Sequence, residues 1–234
     1  MGSVKQEIKI VCLSDTHGHH RKVEVPQGDL LIFSGDFMTC GRRFSEVRDF
    51  GNWFSAQPHK YKILVGGNHD RLLETNRSQC LAEFSKDVIY LEDTSVIIDG
   101  WKIHGSPVQP WFCNWSWNVN RGPDIKKYWD KIPMDTDILI THGPPKGIGD
   151  QTIGWDARHV GCDDLLIRMR EVNPELHIFG HIHNGYGLYP PTVHDQPDFT
   201  SYPEMKTHCM NVSICDEEYE PVNGAIMTRL AKRE

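Results

Sequence analysis

Three polar residues of complementary chemistry, Asn68, His69 and Asp70, follow directly on an apolar stretch of the sequence. The preceding run 61–65 predicts a buried strand, and the two glycines behind it allow the backbone to turn sharply. An amide oxygen can bind a hard cation, and an imidazole can exchange a proton near neutral pH. A carboxylate can hold such an imidazole in one tautomer. The spacing therefore predicts a compact catalytic unit at the carboxyl end of a strand.

Four further apolar runs end in the same kind of polar sequence. They are followed by Asp15-Thr16-His17, Gly35-Asp36, Thr141-His142-Gly143 and Gly180-His181-Ile182-His183. A solvated loop would explain any one of these residues, because such residues are common at turns. In open α/β sheets, however, ligands bind outside the carboxyl ends of the strands. Five endings of one kind therefore predict a single shared site.

In this order, the five polar blocks resemble those of the calcineurin-like metallophosphoesterases. More narrowly, the segments 110–122, 141–145, 160–162 and 183–187 resemble the fetal-brain metallophosphoesterase-domain proteins and their cyclic-nucleotide phosphodiesterase relatives. The narrower similarity spans roughly the whole chain, and the last ~50 residues are its least distinctive part. The resemblance implies an α/β fold, namely a four-layer αββα sandwich of two mixed sheets flanked by helices.

The resemblance also implies two metal ions held by seven side chains from all five blocks. One ion would be bound by Asp15, His17, Asp36 and His183, and the second by Asp36, Asn68, His142 and His181. Asp36 would bridge the two ions. Mixed imidazole and oxygen ligands suit transition metals such as Mn, Fe or Zn better than Ca or Mg.

Charge counting indicates what such a centre would bind. Two divalent cations, two carboxylates and a bridging hydroxide leave it about one unit positive, so it favours an anion. A hydroxide between two metals is placed for in-line attack on phosphorus, and no protein nucleophile is then required. We expect His69 to donate a proton to the leaving group or to stabilise its charge. Asp70 would orient the ring of His69 and hold it protonated.

The segment 110–122 lacks the periodicity of a helix or a strand and is rich in tryptophan. One interpretation is a wall that stacks a flat group beside the metals, with Trp115 and Trp117 as candidates and Arg121 near phosphate. The alternative, which we favour for most of the tryptophans, is a buried aromatic cluster with locally satisfied indole N–H groups. Arg71, directly after the catalytic block, is a further candidate for substrate binding.

The resemblance and the possible aromatic wall favour a phosphodiesterase acting on small phosphodiesters or nucleotides, among them cyclic nucleotides. A phosphomonoesterase or protein phosphatase is one alternative, although a protein phosphatase or a nuclease would usually have a more basic approach. A weakly active nucleotide-binding scaffold is another, because some fetal-brain relatives resemble weak enzymes with glycine in place of the first histidine of the last block. Here that position is His181. The motifs of P-loop, dinucleotide-binding and serine-hydrolase enzymes do not occur.

The overall composition restricts partners and location. With 25 basic and 32 acidic side chains the formal charge is −7, which argues against general binding of nucleic acid or anionic membranes. The length of 234 residues suits one domain over 1–234. Seven cysteines without a C-x-x-C pair predict free thiols in a reducing compartment. Since no apolar run has the length of a signal peptide or membrane span, we expect a soluble, cytoplasmic protein.

Hydrophobic periodicity predicts the elements that would position the site. Helices are predicted over 44–56, around 80–84, over 125–131 and over 162–171. Strands are predicted over 88–91, 95–98 and 101–104, the last two joined by an Asp-Gly hairpin turn. Two more strands, over 209–214 and 225–230, would complete one sheet together.

Overall fold

Two large β-sheets with helices make up the part of the chain that the structure describes. The structure is a computed structural model that describes residues 7–154, 157–191 and 205–231. The first sheet contains, in spatial order, β13 (Ile226–Ala231), β1 (Glu7–Leu13), β2 (Leu30–Ser34), β3 (Tyr61–Val65) and β4 (Val88–Tyr90). The second contains β11 (Gly187–Tyr189), β12 (His208–Asn211), β10 (Leu176–Phe179), β9 (Ile138–Thr141), β6 (Trp101–Ser106) and β5 (Thr94–Ile98). A short parallel pair consists of β7 (Gln109–Pro110) and β8 (Asn118–Val119).

Four of the helices lie close to where periodicity predicts them, whereas periodicity does not predict the short helix after Asp70. The helices are α1 (Phe44–Ser55), α2 (Arg71–Thr75), α3 (Arg77–Leu81), α4 (Pro123–Trp129) and α5 (Asp163–Val172), with 3-10 turns at His20–Lys22 and His183–Gly185. The helix predicted around 80–84 lies a few residues earlier, as α3. Among the described residues, no helix has the length and apolar composition that crossing a bilayer requires.

Three hydrophobic clusters define the layers. The strands alternate between them, so that in β1 Ile10 faces the inner core whereas Val11 faces the outer one. The inner cluster joins apolar side chains of both sheets, including Ile32 of β2 and Ile140 of β9. One outer cluster packs α1 on the first sheet, and the other packs α4 and α5 on the second. The predicted four-layer sandwich of two mixed sheets is therefore confirmed, whereas a single domain over 1–234 stays a prediction.

The topology brings the five polar blocks to one edge of the molecule. Strands β1, β2 and β3 are parallel neighbours in the first sheet, and β9 and β10 are parallel neighbours in the second. The two sheets are joined at this edge, where Ser14 after β1 bridges Ser213 after β12. The N–H of Ser14 donates to Val212 O at 3.0 Å, and the N–H of Ile214 donates back to Ser14 O at 3.0 Å. All five polar strand ends therefore open on the same crevice.

The prediction that the last two strands complete one sheet together is wrong. Strand β12 lies parallel to β10 in the six-stranded sheet, whereas β13 lies antiparallel to β1 in the five-stranded sheet. Both are strands, as periodicity predicts. Their partners are decided by the crossing between sheets at 212–215, which local periodicity does not encode.

Candidate metal centre

The loops after β1, β2, β3, β9 and β10 bring the predicted ligands into one cluster. Three groups have potential ligand atoms within 4.8 Å of one another, namely Asp15, His17 and His183; His17, Asp36 and His69; and Asp36, His142 and His181. The groups share His17 and Asp36, so they form one continuous centre. Asn68 joins it, because its Oδ1 lies 2.8 Å from Nε2 of His142. The structure thus places all seven predicted ligands together.

Four of these residues have left-handed backbone conformations that residues other than glycine rarely adopt. The φ angles are 51° at Asp15, 42° at His17, 62° at Asp36 and 70° at His181. Each such conformation costs about 1–2 kcal/mol, and such conformations persist where the surrounding structure holds them. Here the backbone N–H of Asp15 donates to Gly35 O at 2.8 Å. Backbone strain concentrated at one site is typical of a functional centre.

Gly35 permits the close packing of His142 at the centre. Its φ is +106°, and an added Cβ would lie 2.5 Å from Nδ1 of His142 and 2.7 Å from Cα of Gly67. No side chain fits in this space. Because Gly35 has no side chain, the loop after β9 can place His142 against the ends of β2 and β3.

Three of the histidines have their ring orientation and tautomer fixed by backbone carbonyls. The Nδ1 partners are Met38 O for His17 (3.2 Å), Ser34 O for His142 (2.9 Å) and Asp216 O for His183 (2.7 Å). A carbonyl only accepts, so Nδ1 must carry the proton and donate it. Each Nε2 then faces the cluster, and those of His17 and His183 lie 3.2 Å apart. This is the arrangement of metal-binding histidines, whose outer nitrogen donates to a carbonyl.

The two carboxyl groups of the centre are ionised in spite of complete burial. Burial acts to raise the pKa of Asp15, but the hydrogen bond from His183 and the charge of His142 outweigh it and hold the pKa well below its usual range. At Asp36 burial is likewise outweighed, by the charges of His142 and His69, and the pKa is again far below its usual range. Both groups are therefore anionic donors for a cation.

The histidines of the centre fall into two sets by charge. Burial acts to lower the pKa of His142 and of His183, yet the neighbouring carboxylates raise each to about 9. Burial dominates at the other two, lowering the pKa of His17 to about 4 and that of His181 to about 3. A bound cation would replace the protons on His142 and His183, since imidazole binds metals in its neutral form. The donor set thus fits divalent transition metals.

The expectation that Asp70 orients His69 is wrong. Its carboxylate oxygens accept from the backbone N–H groups of Asp36 (2.8 Å), Gly67 (2.8 Å) and Met38 (3.0 Å). Asp70 thereby ties the turn after β2 to the turn after β3, because these buried N–H groups require an acceptor. The ring of His69 instead donates through Nδ1 to Thr39 O.

His69 is held between two other rings. Its imidazole stacks on the indole of Trp115, with centroids 4.3 Å apart and 21° between the planes. The ring of His17 meets it edge-on at 4.7 Å. Its backbone N–H donates to Oδ1 of Asp36 at 2.7 Å. His69 is therefore fixed beside the cluster by contacts on its backbone and on its ring.

A cavity of about 830 Å³ opens beside the cluster. Its lining includes the aromatic residues Trp111, Phe112, Trp115 and Tyr219 and the basic residues Arg121, Lys146 and Arg158, together with Asp36, Asn68, His69, His181 and His183. The guanidinium of Arg121 donates to Gly161 O at 2.7 Å and to Val160 O at 2.6 Å. Two of the four candidate substrate-binding residues, Trp115 and Arg121, therefore line the cavity.

The other two candidates, Trp117 and Arg71, do not line this cavity. Trp117 is 7% exposed and packs in the outer core. Its indole lies so close to Gly66 that a Cβ added there would be 2.5 Å from the ring. The predicted burial is correct for this residue but wrong for Trp111, which is 58% exposed, and the indole N–H of Trp117 has no hydrogen-bond partner among the described residues. Arg71 is exposed at the start of α2, because the polypeptide turns away from the centre after Asp70.

Sequence reasoning missed Tyr219. Its ring lies 4.7 Å from that of His17 and 5.4 Å from that of His183, edge-on to both. It belongs to an acidic segment near the end of the chain that has no recognisable motif, so the sequence contains no signal for it. Only the crossing of the chain after β12 brings it to the centre.

The fold and this centre define a metal-dependent phosphoesterase. The sequence profile of the calcineurin-like phosphoesterases matches residues 8–185, and the chain belongs to this family. Family membership and the Asp and His clusters together indicate that the centre holds divalent metal ions and that the protein hydrolyses phosphoric esters.

Individual proteins of known sequence or structure are also similar to this chain. Human metallophosphoesterase domain-containing protein 1 is 36% identical, over 95% of this chain and 71% of that protein. The Caenorhabditis elegans UPF0046 protein K07C11.7 is also 36% identical, over 77% of this chain and 65% of that protein. The crystal structure of TT1561 of Thermus thermophilus aligns with a TM-score of 0.56 at 11% identity, over 88% of this chain and 89% of that chain. This last similarity supports the fold alone.

Proposed function

We propose that the protein is a phosphodiesterase that hydrolyses small phosphodiesters, cyclic nucleotides among them, with two transition metal ions such as Mn, Fe or Zn. One observation supports the pair of ions above all. Oδ2 of Asp36 lies 3.4 Å from Nε2 of His142 and 4.0 Å from Nε2 of His17, which belong to two different ligand groups. One carboxylate oxygen thus faces both groups, as a bridging ligand requires.

When bound, a metal pair would polarise phosphate oxygens and lower the pKa of a water molecule between them. The protein groups would do the rest. Asp15, Asp36 and Asn68 supply oxygen donors, and the carbonyls that hold three of the histidine rings keep the Nε2 atoms of His17, His142 and His183 directed at the centre. Because these positions exist before substrate binds, little reorganisation is needed during the reaction.

His69 is our candidate for the group that assists the leaving oxygen. It lies in the cavity wall, and Thr39 O holds the proton on its Nδ1. In the cationic ring, which carries a proton on both nitrogens, Nε2 can donate its proton to a leaving alkoxide and leave the neutral ring protonated on Nδ1. Asp70 contributes indirectly, since it fixes the turn from which His69 projects.

The charges in the cavity favour a diester over a monoester. A monoester at neutral pH carries close to two negative charges, whereas a diester carries one. Three basic side chains line the cavity, Arg121, Lys146 and Arg158, but Asp36, Asp163 and Glu217 line it as well, so the lining offers no excess positive charge for the second charge of a monoester. The cavity volume of about 830 Å³ also leaves room for both substituents of a diester.

Seven free thiols fit a reducing compartment, so we propose that the protein is located in the cytoplasm.

Metal analysis of the purified protein, followed by hydrolysis of a bis-aryl and a mono-aryl phosphate under several metals, tests this function. We expect kcat/KM to be at least ~10-fold higher for the diester, and we expect cyclic nucleotides to be hydrolysed. Faster hydrolysis of the monoester would support the phosphomonoesterase alternative instead. Tight nucleotide binding by the metal-loaded protein without hydrolysis would support a scaffold. Asp36→Asn is the control, because it should abolish activity with any substrate.

A further inference from the structure

A tight turn over residues 215–221, here called the C-terminal turn, lies against the metal centre but outside the segment 8–185 that matches the family. A bridge between Cys215 and Pro221 closes it. Within it, Oδ1 of Asp216 accepts from the N–H groups of Glu218 at 3.0 Å and Glu220 at 2.9 Å. The N–H of Tyr219 donates to Asp216 O at 3.0 Å. The turn is therefore rigidly built by its own hydrogen bonds.

Three contacts join the C-terminal turn to one ligand group of the centre. The N–H of Cys215 donates to the backbone carbonyl of Asp15 at 3.3 Å. The carbonyl of Asp216 accepts from Nδ1 of His183 at 2.7 Å. The ring of Tyr219 meets the rings of His17 and His183 at interplanar angles of 82° and 88°. Every member of the group Asp15, His17 and His183 is thus contacted by this turn.

The backbone of Tyr219 is in a conformation that a tyrosine adopts at a cost. Its φ is 63°, in the left-handed region that glycine adopts without strain. Burial of the ring does not offset this cost, because Tyr219 is 46% exposed. The hydrogen bonds of Asp216 hold the strained position, and the result is a ring placed edge-on between two histidines. A strained residue so held at a functional site indicates a role in that site.

We propose that the C-terminal turn is a clamp for the metal ion bound by Asp15, His17 and His183, with Tyr219 as its positioning residue. Its ring restricts the rotation of both imidazoles, so that their Nε2 atoms stay directed at one point. Partners that orient metal ligands typically contribute 10–100-fold to metal affinity, on the order of the effect expected here. The inference rests on the metal binding in the proposed function and is independent of the substrate.

Metal affinity tests the clamp without any substrate. The protein is stripped of metal, and binding of Zn²⁺ or Mn²⁺ is measured by competition with a chromogenic chelator. Tyr219→Phe keeps the ring and should bind within ~2-fold of the wild type, whereas Tyr219→Gly should weaken one metal equivalent by about 10–100-fold. The absorption spectrum of the Co²⁺-loaded protein should change in Tyr219→Gly and remain unchanged in Tyr219→Phe, because it reports the ligand geometry.

The glycine variant also separates positioning from folding. Because it relieves the left-handed strain, the urea midpoint of its metal-free form should stay close to that of the wild type. Asn173→Gly is the matched control: residue 173 has a φ of 51° at the opposite end of β10 from the centre, and this change should leave metal affinity unaltered. Wild-type affinity for both equivalents in Tyr219→Gly would overturn the clamp, as would an equal loss in Tyr219→Phe. A protein that binds both ions normally but cleaves no diester would instead overturn the proposed function alone.

Discussion

The ring of His69 lies almost parallel to the indole of Trp115, with centroids 4.3 Å apart. One face of the indole is therefore occupied by the imidazole and is closed to a substrate. This contact and the Thr39 carbonyl orient the imidazole of His69, which is the role that the sequence analysis predicts for Asp70. Trp115 thus combines a cavity wall with the orientation of the neighbouring histidine.

Trp115→Ala should lower kcat by about tenfold and change KM by less than about threefold, because His69 loses its stacking partner. Trp115→Phe keeps a flat ring and should retain most of kcat. The comparison variant is Trp111→Ala, since Trp111 lines the same cavity and is 58% exposed. That change should act on KM. An effect of Trp115→Ala on KM alone would indicate a wall for the substrate and no part in orienting His69.

His69 lines the cavity as the candidate proton donor. His69→Ala should keep the full metal content and lose about tenfold to a hundredfold in kcat, because only proton donation is removed. Adding Trp115→Ala to this variant should cause little further loss, since the two residues act as one unit. The metal content is the discriminating measurement: His69 lies within 4.8 Å of potential ligand atoms of His17 and Asp36, and loss of metal would make it a ligand.

Gly35 provides a test of how the centre is packed. Gly35→Ala would place a Cβ 2.5 Å from His142, so we expect a loss of at least ~3 kcal/mol in unfolding free energy and weaker metal binding. Gly122→Ala is the matched control, because Gly122 has a φ of +78° with no atom within 4 Å of the added Cβ. Since its φ of 78° and ψ of −137° strongly favour glycine, it should lose about 1–3 kcal/mol from backbone strain alone, with metal affinity unchanged. Equal losses in both variants would show that the packing of His142 is unimportant.

Two buried histidines away from the cluster should make stability depend on pH. Burial lowers the pKa of His104 to about 4 and that of His177 to about 3. The unfolded chain protonates histidine near pH 6.5, so it binds protons that the folded protein does not. The contribution of each to the unfolding free energy should therefore fall as pH falls, from about 6.5 to about 4 for His104 and to about 3 for His177, by up to about 1.4 kcal/mol per pH unit.

Urea unfolding of the metal-free protein at a series of pH values measures this dependence. The wild type and His104→Gln should differ in slope within that window, because the variant lacks the titration of His104 while the other titrating groups are common to both proteins. Above about pH 6.5 the two profiles should run parallel, since the imidazole is then neutral in both states. Parallel profiles throughout would contradict a neutral, buried His104.

The amino-acid sequence by itself determines the chemistry and the local elements of this protein. Polar residues at the ends of apolar runs predict one shared site, where the structure brings the seven candidate ligands together, and helical spacing predicts α1. These signals are local, because side-chain periodicity and turn residues act over a few positions. The parallel arrangement of strands then converts five local endings into one site.

The tertiary structure alone decides which groups support that chemistry. Asp70 accepts from backbone N–H groups up to 34 positions away, and Trp117 is placed in the outer core by its packing on Gly66. Tyr219 reaches His17 only because β12 and β13 join different sheets. These contacts join residues far apart in the chain, and they follow from how two sheets pack and which buried N–H groups need acceptors. Local patterns therefore identify the reacting groups, whereas long-range packing decides what holds them in position.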